Sequence, residues 1–291
     1  VTNRSLDFSF AYGGGDYGDR GRFRINLYYQ RNTIAGAFRL LPPLAKSIEE
    51  LRLPKICHNF AQLKQGLILI TGPTGHGKST TIASIISEIN ASQQVNILTI
   101  EDPIEYVYPK GQSIISQREL GFDTHSWGEA LRSVLREDPD VVVVGEMRDP
   151  ETIAAALTIA ETGHLVFSTL HTNSASQTLD RVIDSFPAAQ QAQIRIQLAS
   201  TLKGVISQRL IPRIDGGRVP GVEVLIGTSA VSNNIREGKT HLIDSIMQTS
   251  QDVGMITLEA SLASLVLAGT ISLETAKSYA LRPEELLRMV G

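Results

Sequence analysis

The apolar residues near the start of the chain recur at every second position. The segments LDFSFAY (6–12) and RFRINLYYQ (22–30) alternate as half-buried strands do, and IAGAFRLL (34–41) predicts a third strand. The glycine-rich GGGDYGDRG (13–21) between the first two is typical of a hairpin loop. Because three strands without a covering helix make a poor domain, we expect these to be part of a small α+β domain with further residues before them. Residues 41–54, LPPLAKSIEELRLP, are interpreted as a linker with a short helix.

Beyond the linker, short apolar runs alternate with segments of helical periodicity. The strand candidates are GLILIT (66–71), VNILTI (95–100), VVVVGE (141–146) and HLVFSTL (164–170), and the helix candidates between them lie at 81–89, 126–138 and 150–163. Repeated strand–helix alternation predicts an α/β domain with a mostly parallel sheet. Residues 174–205 have a helical pattern, two strand candidates flank the turn at 215–217, and short helices are predicted from about residue 228.

The sequence GPTGHGKST (72–80) lies between an apolar strand candidate and a helix candidate. It fits the phosphate-loop pattern G-x-x-x-x-G-K-[ST], in which glycines let backbone N–H groups turn toward a phosphate chain. The lysine then approaches the β- and γ-phosphates, and the serine hydroxyl can reach Mg²⁺. His76 is interpreted as a tolerated loop residue. The candidate nucleotide-binding residues are Gly72, Pro73, Thr74, Gly75, His76, Gly77, Lys78, Ser79 and Thr80.

Acidic residues follow two of the predicted strands. Glu101, Asp102 and Glu105 follow residues 95–100, and Glu146 ends the run VVVVGE. Ligands of open α/β sheets bind beyond the carboxyl ends of the strands, and a phosphate-loop enzyme needs one carboxylate near Mg²⁺ and usually a second for the attacking water. We therefore expect functional roles for Glu105 and Glu146, and Mg²⁺ contacts from Ser79 and Glu146. Asp149, which precedes a proline, is interpreted as a helix cap.

Composition limits the classes of protein that fit. The chain has 291 residues, enough for about two domains, a net charge of −3 and a single cysteine. One cysteine cannot form an internal disulfide or a cysteine-based zinc site, and the acidic balance gives no general reason to bind nucleic acid. The sequence predicts no membrane span and no signal peptide, so a cytoplasmic protein is expected.

Four motifs together resemble the signature segments of the secretion-type hexameric ATPases. In order, ITGPTGHGKSTT, TIEDPIEY, LREDPDVVVVGEMRDPET and TGHLVFSTLHTN resemble the phosphate loop, the acidic box, the second nucleotide motif and the histidine box of that superfamily. The segment from NNIREGKTHLID onward resembles most closely the pilus retraction ATPases of twitching motility. Two features depart from the family pattern, namely His76 in the loop and the long FAYGGGDYGDRG hairpin.

The resemblance implies a domain order and roles for the matching residues. It implies a RecA-like ATPase core at 55–227, a linker at 42–54, a C-terminal helical segment at 228–291 and the remnant of a PAS-like domain at 1–41. Glu105 would be the general base, Glu146 would help to hold Mg²⁺, and His164 and His171 would sense the nucleotide or link the sheet to the neighbouring domain. Because the two histidines bracket one strand and lie roughly 23 Å apart, they cannot share a metal ion.

The same resemblance implies that arginines of the N-terminal domain reach the γ-phosphate. The matching positions are Arg24 and Arg39, with Arg22 and Arg31 less secure and a solvated strand face as the alternative. An arginine can neutralise the charge that develops on the γ-oxygens during phosphoryl transfer. Closure of the domains on ATP, with a hinge at LLPPLAKS, would then drive motion.

The implied assembly is a homohexamer that uses ATP and Mg²⁺. It would lie at the cytoplasmic face of the inner membrane, without a membrane span, and act on a membrane platform protein at the pilus base. A motor for pilus extension or type II secretion remains an alternative, because the nucleotide motifs do not fix the direction of work. A nucleic-acid translocase and a non-catalytic nucleotide-binding subunit are further alternatives, and the acidic charge and the intact Lys78, Glu105 and Glu146 weigh against them.

Overall fold

Two β-sheets organise this computed structural model, which describes residues 5–13, 21–41 and 44–291. The first sheet is antiparallel, in the order β1 (Ser5–Tyr12), β2 (Gly21–Gln30) and β3 (Thr33–Leu41). The three predicted N-terminal strands are thus confirmed. The tip of the predicted hairpin loop at 14–20 and the Pro42–Pro43 pair of the predicted hinge lie outside the described residues.

The register of the N-terminal sheet places its arginines on one face. Arg24 of β2 pairs with Ser9 of β1 on one side and with Arg39 of β3 on the other. Because side chains alternate between faces, Arg22, two residues before Arg24, shares that face. The opposite face carries large apolar side chains, several of them well exposed, such as Phe38.

The second sheet has seven strands in the order β10-β9-β4-β8-β7-β5-β6. The strands are β4 (Gly66–Thr71), β5 (Asn96–Glu101), β6 (Ile114–Glu119), β7 (Val141–Val144), β8 (Leu165–Leu170), β9 (Leu202–Pro212) and β10 (Arg218–Ile226). The neighbouring strands pair in parallel, except that β9 and β10 are antiparallel. The predicted α/β fold with a mostly parallel sheet is confirmed, although the edge strand β6 was not predicted.

The helices lie between these strands and after them. They are α1 (Ile56–Ala61), α2 (Lys78–Ser92), α3 (Trp127–Val134), α4 (Pro150–Glu161), α5 (Ala175–Asp184), α6 (Ala188–Thr201), α7 (Ser229–Arg236), α8 (Ile243–Thr249), α9 (Leu258–Leu267), α10 (Leu273–Tyr279) and α11 (Pro283–Val290), with 3₁₀ turns at Thr240–Leu242 and Gln251–Val253. The interpretation of Asp149 is confirmed, since it caps α4 through a bond from the Thr152 N–H, with Pro150 in the first turn.

The apolar core covers both faces of the seven-stranded sheet. Every residue of β4 and of β8 is buried, which is why these strands read as continuous apolar runs rather than alternating ones. A separate cluster, which includes Ile211, Leu258 and Leu262, packs the C-terminal helices against β9 and β10. The strands that carry the nucleotide motifs therefore lie at the centre of the domain.

The short helix predicted for the linker is not observed. No helix forms among the described linker residues 44–54, which make turns instead. Arg52 has a φ of 56° and Pro54 follows it closely, and both interrupt a helical turn.

Among the described residues, no helix combines the length and the apolar character that crossing a membrane requires. The domain boundaries at 41, 54 and 227 stay a prediction.

Candidate nucleotide site

The phosphate-loop motif connects the end of β4 to the start of α2. Gly77 is the N-cap of α2 with a left-handed φ of 86°, and no side chain caps that helix end. The first N–H groups of α2 are therefore available to a phosphate, as at other helix N-termini that bind anions. Gly72 faces the backbone of β9 so closely that a β-carbon would lie 2.2 Å from the Gln208 carbonyl oxygen, so only glycine fits there.

Strand β9 holds the phosphate loop through side chains as well. Gln208 donates to the His76 carbonyl oxygen over 2.6 Å and accepts from the Thr81 hydroxyl over 2.7 Å. The His76 Nδ1 accepts the Leu210 N–H over 2.9 Å, so the neutral ring braces the loop. The interpretation of His76 as merely a tolerated loop residue is corrected here. Burial, followed by the charges of Arg209, Lys78 and Arg218, lowers the pKa of His76 and favours that neutral form.

Lys78 lies in the first turn of α2 and is buried. Its ammonium donates to the carbonyl oxygens of Gly72 over 2.8 Å and of Pro73 over 3.1 Å, and its Nζ lies 3.5 Å from the His171 Nδ1. Burial lowers the pKa of Lys78, against the opposing effect of the nearby Glu146 and Glu105 carboxylates. The ammonium is thus held inside the loop, where a phosphate chain would meet it.

Glu146 and His171 connect the ends of two neighbouring strands to the phosphate loop. Glu146 follows β7, and His171 follows β8. The His171 Nε2 lies 3.1 Å from a Glu146 oxygen, while its Nδ1 lies 3.3 Å from the Thr74 hydroxyl. Burial acts to raise the pKa of Glu146, but the hydrogen bond and charge of Arg148, together with His171, outweigh it and lower the pKa. Glu146 is therefore held as a carboxylate, in contact through His171 with the loop.

His164 does not belong to this site. It lies at the opposite end of β8 from His171, with its Nδ1 2.9 Å from the Ile159 carbonyl oxygen and 3.1 Å from the Thr162 hydroxyl. A six-residue strand extends roughly 20 Å, so the two histidines cannot meet one nucleotide within one chain. The prediction of His164 as a residue of the catalytic site is corrected: its observed contacts are with the end of α4.

The N-terminal sheet forms the other wall of the pocket. A cavity of about 540 Å³ is lined by the phosphate loop, by Glu105 and Glu146, and by Arg24 and Arg39 of the sheet. The Arg24 Nη1 lies 3.6 Å from a Glu105 oxygen. The structure thus brings arginines and candidate base together, although the motifs that carry them lie about 65 to 80 positions apart in the sequence.

Most of the predicted site residues line this cavity, and several lining residues were not predicted. The predicted ones are Arg24, Arg39, Thr74, Gly75, Gly77, Lys78, Ser79, Thr80, Glu105, Glu146 and His171, whereas Gly72, Pro73, His76 and His164 do not line it. The unpredicted ones include two cations, Arg148 and Arg218. Arg148 lies in the predicted second nucleotide motif, two residues after Glu146, and only this position in the motif could have indicated a place in the site. Arg218 follows the turn at 215–217, and nothing in the surrounding sequence indicates that it belongs to the site.

Two acids in the cavity differ in their surroundings. Glu101 accepts hydrogen bonds from the Thr99 hydroxyl over 2.8 Å and the Gln117 amide over 3.2 Å, and burial raises its pKa to about 7. Glu105 is partly exposed and reaches into the cavity. A general base must reach the attacking water at the γ-phosphate. Glu105, which approaches Arg24 of the opposite wall, fits that role better than Glu101, whose carboxylate is held by Thr99 and Gln117.

The oxygen atoms in the cavity fit Mg²⁺ bound together with phosphates. No group of three or more histidine, cysteine, aspartate or glutamate side chains that could hold a metal occurs in the described part of the chain. Mg²⁺ characteristically uses one or two protein oxygens and completes its octahedron with substrate phosphates and water. Ser79 and Glu146, which both line the cavity, supply that kind of ligand.

Known proteins resemble this chain over nearly its whole length. The family model described as type II/IV secretion system protein matches residues 46–268. The chain belongs to that family. The twitching motility protein of Neisseria gonorrhoeae is 49% identical over 98% of this chain and 75% of its own length. The pilus retraction ATPase PilT of Pseudomonas aeruginosa is 48% identical over 96% of this chain and 79% of its own length.

A solved structure agrees with the sequence relatives. The crystal structure of the pilus retraction motor PilT with bound ADP superposes with a TM-score of 0.90 and 50% identity, over 98% of this chain and 80% of that one. The chain is therefore an ATPase that binds nucleotide. The four motifs predicted a secretion-type ATPase and the segment from NNIREGKTHLID onward predicted the pilus retraction type, and these relatives confirm both predictions.

Proposed function

We propose that this chain is an ATP-hydrolysing motor that powers the retraction of a type IV pilus. The observation that carries the proposal is the composition of the pocket wall, in which the phosphate loop faces Arg24 and Arg39 of a different sheet. A site that is divided between two sheets can change shape when nucleotide is bound and hydrolysed. A motor requires such a change of shape, whereas a subunit that only binds nucleotide does not require it.

The residues of the pocket divide the chemistry among them. The loop N–H groups and Lys78 bind the phosphate chain, and Arg24 and Arg39 meet the γ-phosphate, where charge develops during transfer. Glu105 accepts the proton of the attacking water. Ser79 and Glu146 would hold Mg²⁺, which neutralises phosphate charge when it is bound.

His171 is the residue that transmits the state of the γ-phosphate. Its ring contacts Thr74 and Lys78 on one side and Glu146 on the other. A phosphate that takes over the Lys78 ammonium removes one of these contacts, so the ring can shift with the nucleotide state. His164, at the far end of β8, instead supports the α4–β8 connection.

The motor action follows from closure of the N-terminal sheet over the nucleotide. Closure needs a hinge, which we place at LLPPLAKS (40–47). Closure would be a rigid-body domain motion, and hydrolysis would reverse it by removing the γ-phosphate that the arginines hold. Six copies would form a ring at the cytoplasmic face of the inner membrane. Staggered closures around the ring would then move a membrane platform protein that withdraws pilin subunits.

Two measurements test the function. Purified protein is expected to release phosphate from Mg-ATP, and no release would leave only a binding subunit. A strain that lacks the gene is expected to carry more or longer pili and to lose twitching. Loss of pili in that strain would instead indicate a motor for pilus assembly.

A further inference from the structure

Glu119, at the end of the edge strand β6, joins the two sheets. Its side chain is buried, and one carboxylate oxygen accepts the Ile104 N–H over 3.0 Å and the Ser9 hydroxyl over 2.7 Å. The other oxygen accepts the Ser9 N–H over 3.3 Å. One carboxylate therefore contacts strand β1 of the N-terminal sheet and the loop after β5 at the same time.

Arg22 of β2 completes this contact from the side of the N-terminal sheet. Its Nη2 lies 3.6 Å from the Glu119 carboxylate and donates to the Ser9 hydroxyl over 2.7 Å. The same nitrogen donates to the Ile104 carbonyl oxygen over 3.4 Å, a long hydrogen bond. The backbone of Ile104 is thus held at its N–H by Glu119 and at its C=O by Arg22. We refer to Ser9, Arg22, Glu119 and the Ile104 backbone as the Glu119 cluster.

The cluster lies next to the candidate base. Ile104 immediately precedes Glu105 in the sequence, and Arg24, on the same face of β2 as Arg22, approaches the Glu105 carboxylate. Strand β2 therefore contacts the loop at two adjacent positions, the backbone through Arg22 and the carboxylate through Arg24. Arg22 was also a candidate for contact with the γ-phosphate, but it does not line the cavity and instead contacts Ser9, Glu119 and the Ile104 carbonyl oxygen.

We propose that Arg22 and Glu119 are positioning residues that attach the loop carrying Glu105 to the N-terminal sheet. This inference rests on the proposed role of Glu105 as the base. When the sheet closes over the nucleotide, Ser9 and Arg22 meet Glu119 and Ile104, and the cluster fixes the backbone next to the base. When the sheet opens, Ser9 and Arg22 withdraw from Glu119 and Ile104, so the base loses this support and hydrolysis depends on closure.

The expected signature is a loss of turnover without a loss of binding. A general base must be within hydrogen-bond reach of its water, and misplacement by about 1 Å costs on the order of a hundredfold in rate. We expect Arg22→Gln and Glu119→Gln each to lower kcat about ten- to a hundredfold. KM and ADP affinity should stay within about twofold, because neither residue lines the cavity. The double variant should be no slower than the slower single variant, since both act through one peptide group.

A matched control lies on the same strand. Arg118 of β6 is also partly buried and paired, with the Glu137 carboxylate at 3.1 Å and the Ser133 hydroxyl at 2.8 Å, and these contacts do not involve the N-terminal sheet. Arg118→Gln removes a comparable ion pair and should leave kcat unchanged. Ser9→Ala, which removes only the shared hydroxyl, provides a milder variant if Arg22→Gln does not fold.

Hydrogen exchange measures the attachment itself, independently of catalysis. In the full chain with ADP bound, the amide hydrogens of residue 102 and residues 104–106 should exchange faster in Arg22→Gln and in Ser9→Ala than in the wild type and in Arg118→Gln. Unchanged exchange at these amides in both cluster variants, or a uniform rise across the whole chain, would overturn the inference. Normal turnover of Glu105→Gln would instead remove the base assignment, and the exchange experiment would still decide whether the loop is attached to the sheet.

Discussion

The two walls of the nucleotide pocket are held in place by different forces. The phosphate loop leaves β4, whose six residues are all buried and which pairs with β8 on one side and β9 on the other. The N-terminal sheet meets the ATPase core near the pocket through polar contacts, namely Arg24 with Glu105 and the Glu119 cluster. One wall is therefore held by apolar burial within a continuous sheet, and the other mainly by hydrogen bonds and ion pairs, beside the buried Ile25 and Leu41 of the N-terminal sheet.

This difference assigns nucleotide binding and motion to different walls. Burying a single aliphatic side chain stabilises the fold by roughly 1.5–3 kcal/mol, so displacing β4 would lose that free energy for each of its several buried side chains. A partly exposed ion pair such as Arg24–Glu105 is worth only about 0–1 kcal/mol, since water competes for both charges. The hydrogen bonds from Ser9 to the buried Glu119 carboxylate add roughly 1.5–3 kcal/mol each. Moving the N-terminal sheet away from the core therefore breaks a few polar contacts, a cost that nucleotide binding can offset, while the phosphate loop stays fixed.

The largest effect is expected from the fixed wall. Lys78→Ala removes the buried ammonium that would meet the β- and γ-phosphates, so nucleotide affinity and turnover should both fall, to the point that hydrolysis is lost. Calorimetric titration with Mg-ADP and a phosphate-release assay measure the two. Tight nucleotide binding in this variant would mean that the loop does not bind phosphates as described.

The next effect concerns the carboxylate that lies between the two walls. Glu105→Gln keeps the size of the side chain but removes its basicity, so turnover should fall by at least about a hundredfold while ATP affinity is nearly preserved. Phosphate release together with nucleotide titration checks both parts. Turnover within a few-fold of the wild type would exclude Glu105 as the base.

A smaller effect is expected from the movable wall. Arg24→Ala or Arg39→Ala should lower turnover by roughly ten- to a hundredfold, because a charge-assisted hydrogen bond is worth about 1.5–3 kcal/mol. Arg31→Ala, at the turn between β2 and β3 on the same sheet, is the matched control and should be close to normal. If all three variants were equally active, the N-terminal arginines would have only a structural role.

The smallest effect tests how the fixed wall is braced. Because the pKa of His76 is lowered in the folded protein, its contribution to stability is complete above the ordinary histidine pKa of about 6.5 and is lost as the pH falls toward the lowered value. His76→Asn offers an oxygen in place of Nδ1 and does not titrate. Between pH 8 and pH 5 the Tm of both proteins should fall, and the fall should be smaller in the variant than in the wild type by about 2 °C. Parallel pH profiles would remove His76 as a titrating brace.

The sequence was sufficient where function depends on local spacing. The phosphate loop, the acids after the strands and the alternation of β4, β5, β7 and β8 are all encoded within short segments. Strand β6 escaped prediction because an edge strand needs little apolar character, and only its two leading isoleucines are apolar. The Glu119 cluster and Arg218 depend on which segments the tertiary fold brings together.

The two histidines show a related limit. His164 and His171 flank the same apolar strand, and their sequence surroundings alone gave both the same weight. Only the direction of β8 relative to the phosphate loop places His171 in the pocket and His164 at the far end. The direction of each strand is a property of the whole sheet, which a short motif does not contain.

The central claim is that the phosphate loop binds the nucleotide while the N-terminal sheet meets only the γ-phosphate. The direct test is to titrate the Arg24→Ala/Arg39→Ala double variant with Mg-ADP and with a non-hydrolysable Mg-ATP analogue. We predict an ADP Kd within about twofold of the wild type and an analogue Kd weakened about tenfold or more, since 1.4 kcal/mol corresponds to a factor of ten. Equal weakening of both Kd values would contradict the account, because it would mean that the N-terminal sheet is part of a static binding site.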